Sequence, residues 1–318
     1  MRWRSTVGGS ASSADCSRKT SKRCAGASGL ESDASPGPAS FEPATAGQSA
    51  RANLGPRLAT AAIGLPLLAA VVWLGGWPFA IVAGAVALLA AAEFVHGWLI
   101  PTMPLRMVLP QAPTFGAAAM MVAGVQAATN FVWVGLGFAV LFAAMGHAHT
   151  NAFGPRKPYR IYAWCLLYIG LLMSTFVLLR NADQGRSWVF IGILGTFATD
   201  TGAYAVGVLF GRHQMAPSIS PKKTWEGAAG GMVAGVAVIL VLNQLFDTGV
   251  SATTLLPFAL AAPPTAMAGD LLESWMKRRM GVKDASGLLP GHGGFLDRLD
   301  SLLFVLPLLY LFLRVRVL

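Results

Sequence analysis

The sequence predicts an all-α polytopic integral membrane protein, with about nine transmembrane helices and a polar site facing the cytoplasm. Three observations carry this. The 318-residue chain is 54% hydrophobic and only 12% charged. Its apolar runs approach the ~20 residues that cross a bilayer as a helix. The charge that remains is concentrated. Gly269–Asp300 alone holds Asp270, Glu273, Lys277, Arg278, Arg279, Lys283, Asp284, His292, Asp297, Arg298 and Asp300. Such groups are costly beside lipid unless they face water, one another or a bound ion.

Taken in order, residues 1–52 are rich in Ser, Ala and Gly, contain Pro36, Pro38 and Pro43, and lack apolar periodicity. They read as a disordered basic tail. No uncharged apolar core marks a secretory signal there. Residues 53–318 read as the membrane-embedded domain. Its expected spans centre on Leu58–Gly75, Phe79–Ile100, Met107–Ala127, Phe131–Met145, Ile161–Leu179, Trp188–Phe210, Ala228–Phe246, Leu255–Trp275 and Leu302–Leu313. Pro66, Pro110, Pro263, Pro264 and Pro307 fall inside spans, where neighbouring helices can re-satisfy the backbone.

Loop charge sets the orientation. Arg106, then Arg156, Lys157 and Arg160, then Arg212, Lys222 and Lys223, then the Lys277–Arg298 cluster fall on the side of the basic tail. The opposite loops hold Arg180, Asp183, Arg186 and Asp247. Positive residues stay inside, so the N-terminus is cytoplasmic and the C-terminus is outside, with Arg314 and Arg316 snorkelling at a helix end. The chain is expected in the cell inner (cytoplasmic) membrane.

The balance of 24 Lys+Arg against 14 Asp+Glu suits anionic lipid and a phosphate-bearing substrate. No polar domain is large enough to hold a nucleic-acid duplex, so nucleic acid is not an expected partner. Cys16, Cys24 and Cys165 form neither a disulfide framework nor a common zinc pattern.

The candidate chemistry starts at the cytoplasmic end of the eighth span. At about 100° per residue, Asp270, Ser274 and Lys277 share one helix face. Lys277-Arg278-Arg279 adds a dense positive group suited to phosphate, although the same triplet serves as a positive-inside anchor. Lys283-Asp284 leads into Leu289-Pro290-Gly291-His292-Gly293-Gly294, a loop that can bring backbone N–H groups to an anion. Asp297 and Asp300 follow, three apart at the start of the ninth span. With Asp270 they suit divalent cations, for which carboxylates, substrate phosphates and waters are the usual set.

Asp200 is an acid within an apolar span and a functional candidate on that ground. Lys222 and Lys223 precede a helix start, where phosphate binds readily. Gly207 and Gly211, like Gly231 and Gly235, are small-residue pairs that mark close helix packing. Glu93 and His96, near the end of the second span, carry no assignment.

Three blocks then stand in order: Asp200-Thr201-Gly202-Ala203-Tyr204; Ser220-Pro221-Lys222-Lys223-Thr224-Trp225-Glu226-Gly227; and Ser274-Trp275-Met276-Lys277-Arg278, with Lys283-Asp284 and Leu289 to Asp300. On these the chain resembles the CDP-diacylglycerol synthase (phosphatidate cytidylyltransferase) family. The likeness is specific in residues 197–227 and 269–300 and only hydropathic elsewhere from about Arg57 onward.

The resemblance implies transfer of CMP from CTP to phosphatidic acid, with Mg²⁺ as the cofactor and room for a second cation, monovalent or divalent. It implies that Asp270 and Asp297 hold metal, supported by Asp300 and Asp200. Lys277 and Arg278 join the catalytic group. Lys222, Lys223, Ser274, Lys283, His292, Gly293, Gly294 and Arg298 serve the substrates. The partners are CTP, phosphatidic acid and the lipid bilayer, with a homodimer compatible with the small-residue spans. A CTP-dependent lipid kinase and an ion-coupled transporter using Asp200 stay open as alternatives.

Overall fold

The computed structural model describes residues 54–99, 122, 161, 164–281 and 294–316. Helices α1 (Leu54–Leu74) and α2 (Gly76–Leu99) come first in the chain, joined at Gly75 and Gly76 with φ of +62° and +53°. A π-helical turn, Leu166–Leu171, runs into α3 (Leu172–Asn181), followed by α4 (Gly185–Phe210). Strands β1 (Gln214–Ala216) and β2 (Ser220–Thr224) come next, then α5 (Trp225–Leu245) and α6 (Ala252–Met280). The short α7 (Leu296–Leu299) leads into α8 (Leu302–Arg316).

Among the described residues, four helices are long and apolar enough to cross a membrane: Gly76–Trp98, Gly185–Phe210, Trp225–Leu245 and Ala252–Met280. They coincide with the second, sixth, seventh and eighth expected spans. Shorter apolar helices, Ala62–Leu74 and Leu166–Asn181, stand at the first and fifth. The third and fourth expected spans, Val122 apart, and the tail at 1–52 lie outside the described residues.

The ninth expected span coincides with α8, which is shorter than those four helices. Helix α8 has 15 residues, a rise of roughly 22 Å against roughly 30 Å of hydrocarbon. Leu303, Leu306, Leu309 and Leu313, three and four apart, are at most 2% exposed, so this apolar stripe faces protein. Gly192 of α4 lets Leu306 come in close, and Phe258 of α6 stacks near Phe312 at 5.7 Å. Helix α8 is the core about which α3, α4 and α6 pack.

The all-α expectation needs one correction. Between α4 and α5 the chain forms an antiparallel hairpin, pairing Gln214 with Thr224 and Ala216 with Ser220. A short polar ribbon lacks the apolar alternation by which strands are recognised, and Pro221 is tolerated because both strands are edges. The ribbon ends where Thr224 caps α5, its side chain accepting from Gly227 N at 3.1 Å.

Helices α4 and α5 pack backbone to backbone through their glycines. A Cβ on Gly231 would lie 2.7 Å from Thr199 O, and one on Gly235 would lie 2.9 Å from Pro263 Cγ of α6. The small-residue pairs are thus used within the chain. Gly231→Val is expected to destabilise the folded protein by about 1–3 kcal/mol, because a carbonyl of the facing helix cannot give way. Thermal unfolding in detergent checks this, and an unchanged midpoint contradicts it.

Candidate active site

The site gathers at one end of α6. The helix continues through Lys277-Arg278-Arg279 and stops at Gly281, whose φ of +77° and N–H bonds to Arg278 O and Lys277 O close the last turn. Basic side chains in a last turn also suit the negative end of the helix dipole. The triplet does not act as one cationic patch. Lys277 turns inward to acids, Arg278 donates from Nε to Ile219 O of the hairpin at 3.4 Å, and Arg279 lies over the Trp275 ring at 5.2 Å.

Two lysine–carboxylate pairs define the centre. Lys223 of β2 reaches Asp270 of α6, Nζ to Oδ2 at 2.6 Å, and Ser274 Oγ donates to Asp270 Oδ1 at 3.4 Å. Lys277 donates to Asp297 Oδ1 at 2.7 Å and stands 3.3 Å from Glu273 Oε2. The expected face of Asp270, Ser274 and Lys277 is therefore divided. Ser274 joins Asp270, while Lys277 serves Glu273 and a carboxylate twenty residues onward. Glu273, with a fully buried side chain, went unassigned in the sequence. An acid in the last apolar turns of a span was the available signal.

The hairpin is held to this end of the bundle from several sides. Glu226, in the first turn of α5, accepts from Arg212 N and His213 N at 3.2 Å each and meets His213 Nδ1 at 2.5 Å. These bonds fasten the entrance to β1 beside the exit from β2. Lys223 and Ile219 then bind the hairpin to α6. Lys222, next to Lys223, is exposed.

The segment before α8 supplies the remaining acids. Asp297 lies in α7, and its Oδ2 accepts from Gly294 N at 2.8 Å. Burial alone raises the pKa of Asp297, but the Lys277 ammonium and the Gly294 N–H outweigh it and hold the carboxyl below its usual range. Asp300 caps the end of α7, its Oδ1 accepting from Ser301 N at 2.6 Å. Burial, and then the nearby Asp270 carboxylate, push its pKa upward. The two acids expected to share one helix face thus sit in opposite electrostatic settings on a turn that precedes the helix.

Asp200 is exposed on α4, within electrostatic reach of Asp300, Asp270, Lys223 and Arg298. Glu93 of α2 is 4% exposed and accepts from Phe295 N at 3.1 Å and Leu296 N at 2.9 Å. Like Asp200, it is an acid in an apolar run, which is the sequence signal for it. Lys283, His292 and Gly293 lie outside the described residues.

Among the described residues, no three His, Cys, Asp or Glu side chains stand as a ready metal cage. Asp270 and Asp297 are each neutralised by a lysine. Yet Asp200, Asp270 and Asp300 offer only oxygen donors and repel one another, a burden that a hard divalent cation relieves. The residues fit such an ion if substrate phosphates and water complete its shell.

Chemically, the arrangement places ammonium groups and carboxylates from β2, α6 and α7 at one end of an apolar bundle. It can bind polyanions and neutralise charge. Comparison with known proteins agrees with that capacity. The model of the cytidylyltransferase family matches residues 56–316. A Mycobacterium bovis protein named phosphatidate cytidylyltransferase is 35% identical over 258 residues, covering 76% of this chain and 81% of its own. A Staphylococcus haemolyticus protein of the same name is 32% identical over 262 residues, covering 81% of this chain and 98% of its own. A third so named, from Bacillus subtilis, is 41% identical over 148 residues, 46% of this chain and 55% of its own. With its sequence matched from the first helix to the last, the chain belongs to the cytidylyltransferase family.

Proposed function

We propose that this membrane protein transfers the CMP group of CTP to phosphatidic acid, forming CDP-diacylglycerol and pyrophosphate for phospholipid synthesis. The observation that carries the reading is the meeting of Lys223–Asp270 and Lys277–Asp297 at one end of α6, in a chain whose relatives are named for this reaction. A phosphate oxygen of the lipid attacks the α-phosphorus of CTP. The bond from that phosphorus to the bridging oxygen breaks, and pyrophosphate leaves. The lipid phosphate is already ionised near neutral pH, so no general base is required.

The difficulty is bringing two polyanions together. Lys222, Lys223, Lys277, Arg278 and Lys283 offset the phosphate charge in this reading. Ser274, His292, Gly293 and Arg298 serve the substrates in this reading, while Gly294, buried against Glu93 with its N–H on Asp297, acts through the turn. Asp270, Asp297, Asp300 and Asp200 would hold Mg²⁺, which when bound neutralises phosphate oxygens and stabilises the transition state. A cytoplasm-facing site in the inner membrane follows from the basic loops on that side. A homodimer is compatible with this scheme, which does not require one.

The test is pyrophosphate release by detergent-purified protein given CTP, phosphatidic acid and magnesium, with the lipid product identified by mass. Release is expected only when lipid is present, and chelation with EDTA is expected to stop it. Release of CDP in place of pyrophosphate contradicts the reading and identifies a kinase. No CTP turnover, with sodium- or proton-dependent uptake instead, identifies a transporter.

A further inference from the structure

Glu93 has no place in the reaction as proposed, yet its surroundings connect it to the site. It belongs to α2, 202 residues before the amide it binds. Its carboxylate is almost fully buried and accepts from two consecutive backbone amides, Phe295 N at 3.1 Å and Leu296 N at 2.9 Å. The amide before these, Gly294 N, bonds Asp297 at 2.8 Å. Two carboxylates from opposite ends of the chain thus divide three successive N–H groups. Gly294 is buried against Glu93, and a Cβ there would lie 2.6 Å from Oε2. Any side chain at 294 would therefore push the Glu93 carboxylate from its place.

We propose that Glu93 is a positioning residue for nucleotidyl transfer. It fixes the turn 294–296 and so sets where Asp297 presents its carboxylate to Lys277. The physical case rests on directionality. A neutral apolar contact would bury the same surface and leave the turn free to shift along it. A buried carboxylate with two amide donors fixes both distance and direction, and charge-assisted bonds of this kind are about twice as strong as neutral ones. Asp297 then has its orientation set by its own bond to Gly294 N, and Lys277 is held between Asp297 and Glu273. Displacements well under 1 Å at such positions are enough to slow a reaction that depends on alignment.

The proposal rests on the CMP-transfer reading, and its test separates the two. Wild-type protein is assayed for pyrophosphate release with CTP, phosphatidic acid and magnesium beside Glu93→Gln, Glu93→Ala and Gly294→Ala. Amide hydrogen exchange across 294–300 and thermal unfolding are measured on the same samples. Glu93→Gln keeps the shape but turns an NH₂ toward one of the two amides. It is expected to lower kcat about tenfold, and Glu93→Ala about a hundredfold, with the KM for CTP changed less than threefold. Gly294→Ala, which pushes the turn from the other side, is expected to lower kcat similarly. Exchange is expected to quicken at Phe295 and Leu296 while the rest of the bundle stays protected. If Glu93→Ala does not fold, Glu93→Gln decides. Wild-type kcat in Glu93→Gln, unchanged exchange at 295–296, or activity lost only in proportion to unfolded protein overturns the proposal. A silent wild type with quickened exchange in the variants overturns the CMP-transfer reading and leaves the Glu93 contact standing.

Discussion

Asp297→Asn is expected to lower pyrophosphate release by about 10²–10³-fold while the protein still purifies as a folded, monodisperse species. The substitution is nearly isosteric, so packing around α7 is kept. What it removes is charge and one acceptor. In the wild type, Oδ1 accepts from Lys277 and Oδ2 from Gly294 N. An asparagine supplies a single oxygen, and its NH₂ must face one of two donors. Lys277 is then left with Glu273 as its nearest acid, and the turn before α7 loses its inner bond. If Asp297 also binds magnesium, the same change weakens that ion. Activity within threefold of wild type contradicts a role at the centre of the site.

Lys277→Met is expected to be the most destabilising single change at the site, at about 3–5 kcal/mol. The ammonium lies between Glu273 and Asp297, whose side chains are 0% and 7% exposed. Methionine keeps much of the volume and removes the ammonium that bridges these two carboxylates. Two buried acids then lose the ammonium they share, a penalty larger than the net value of the intact pair. Denaturation in detergent measures the loss, and Lys277→Arg, which keeps the charge, is expected to recover part of it. Equal stability of wild type and Lys277→Met contradicts the assignment of Lys277 as the counter-ion of both.

What the sequence reveals of this protein follows from what each signal measures. Hydropathy measures preference for an apolar environment, and it located α2, α4, α5 and α6 within a few residues. It does not tell lipid from protein interior. The run Leu302–Leu313, read as a ninth span, is α8, whose leucine stripe packs against α3, α4 and α6. Glycine pairs report close approach without naming the partner, and the partners of Gly231 and Gly235 lie on α4 and α6 of the same chain.

The site shows the same division. Concentrated charge in an apolar chain located the region, because ionisable groups are kept near a bilayer only where they have partners or function. Helical spacing could not choose those partners. Lys277 lies one turn from Ser274, Glu273 and, further on, Asp270, yet its shortest bond reaches Asp297 across a turn. Lys223 finds Asp270 only because the hairpin folds back toward α6, and no apolar pattern announces that hairpin. No sequence pattern marks the contacts of Glu93 with the Phe295 and Leu296 amides, since any sequence supplies backbone N–H groups.

The central claim is that the α-phosphorus of CTP passes to the lipid at this site. It is tested most directly by giving the purified protein phosphatidic acid, magnesium and CTP labelled separately at the α- and γ-phosphorus, then counting label in lipid and in water. The α-label is expected in the lipid as CDP-diacylglycerol, and the γ-label in pyrophosphate. A γ-label in the lipid, with the α-label left in soluble CDP, would contradict the account and make the protein a CTP-dependent lipid kinase.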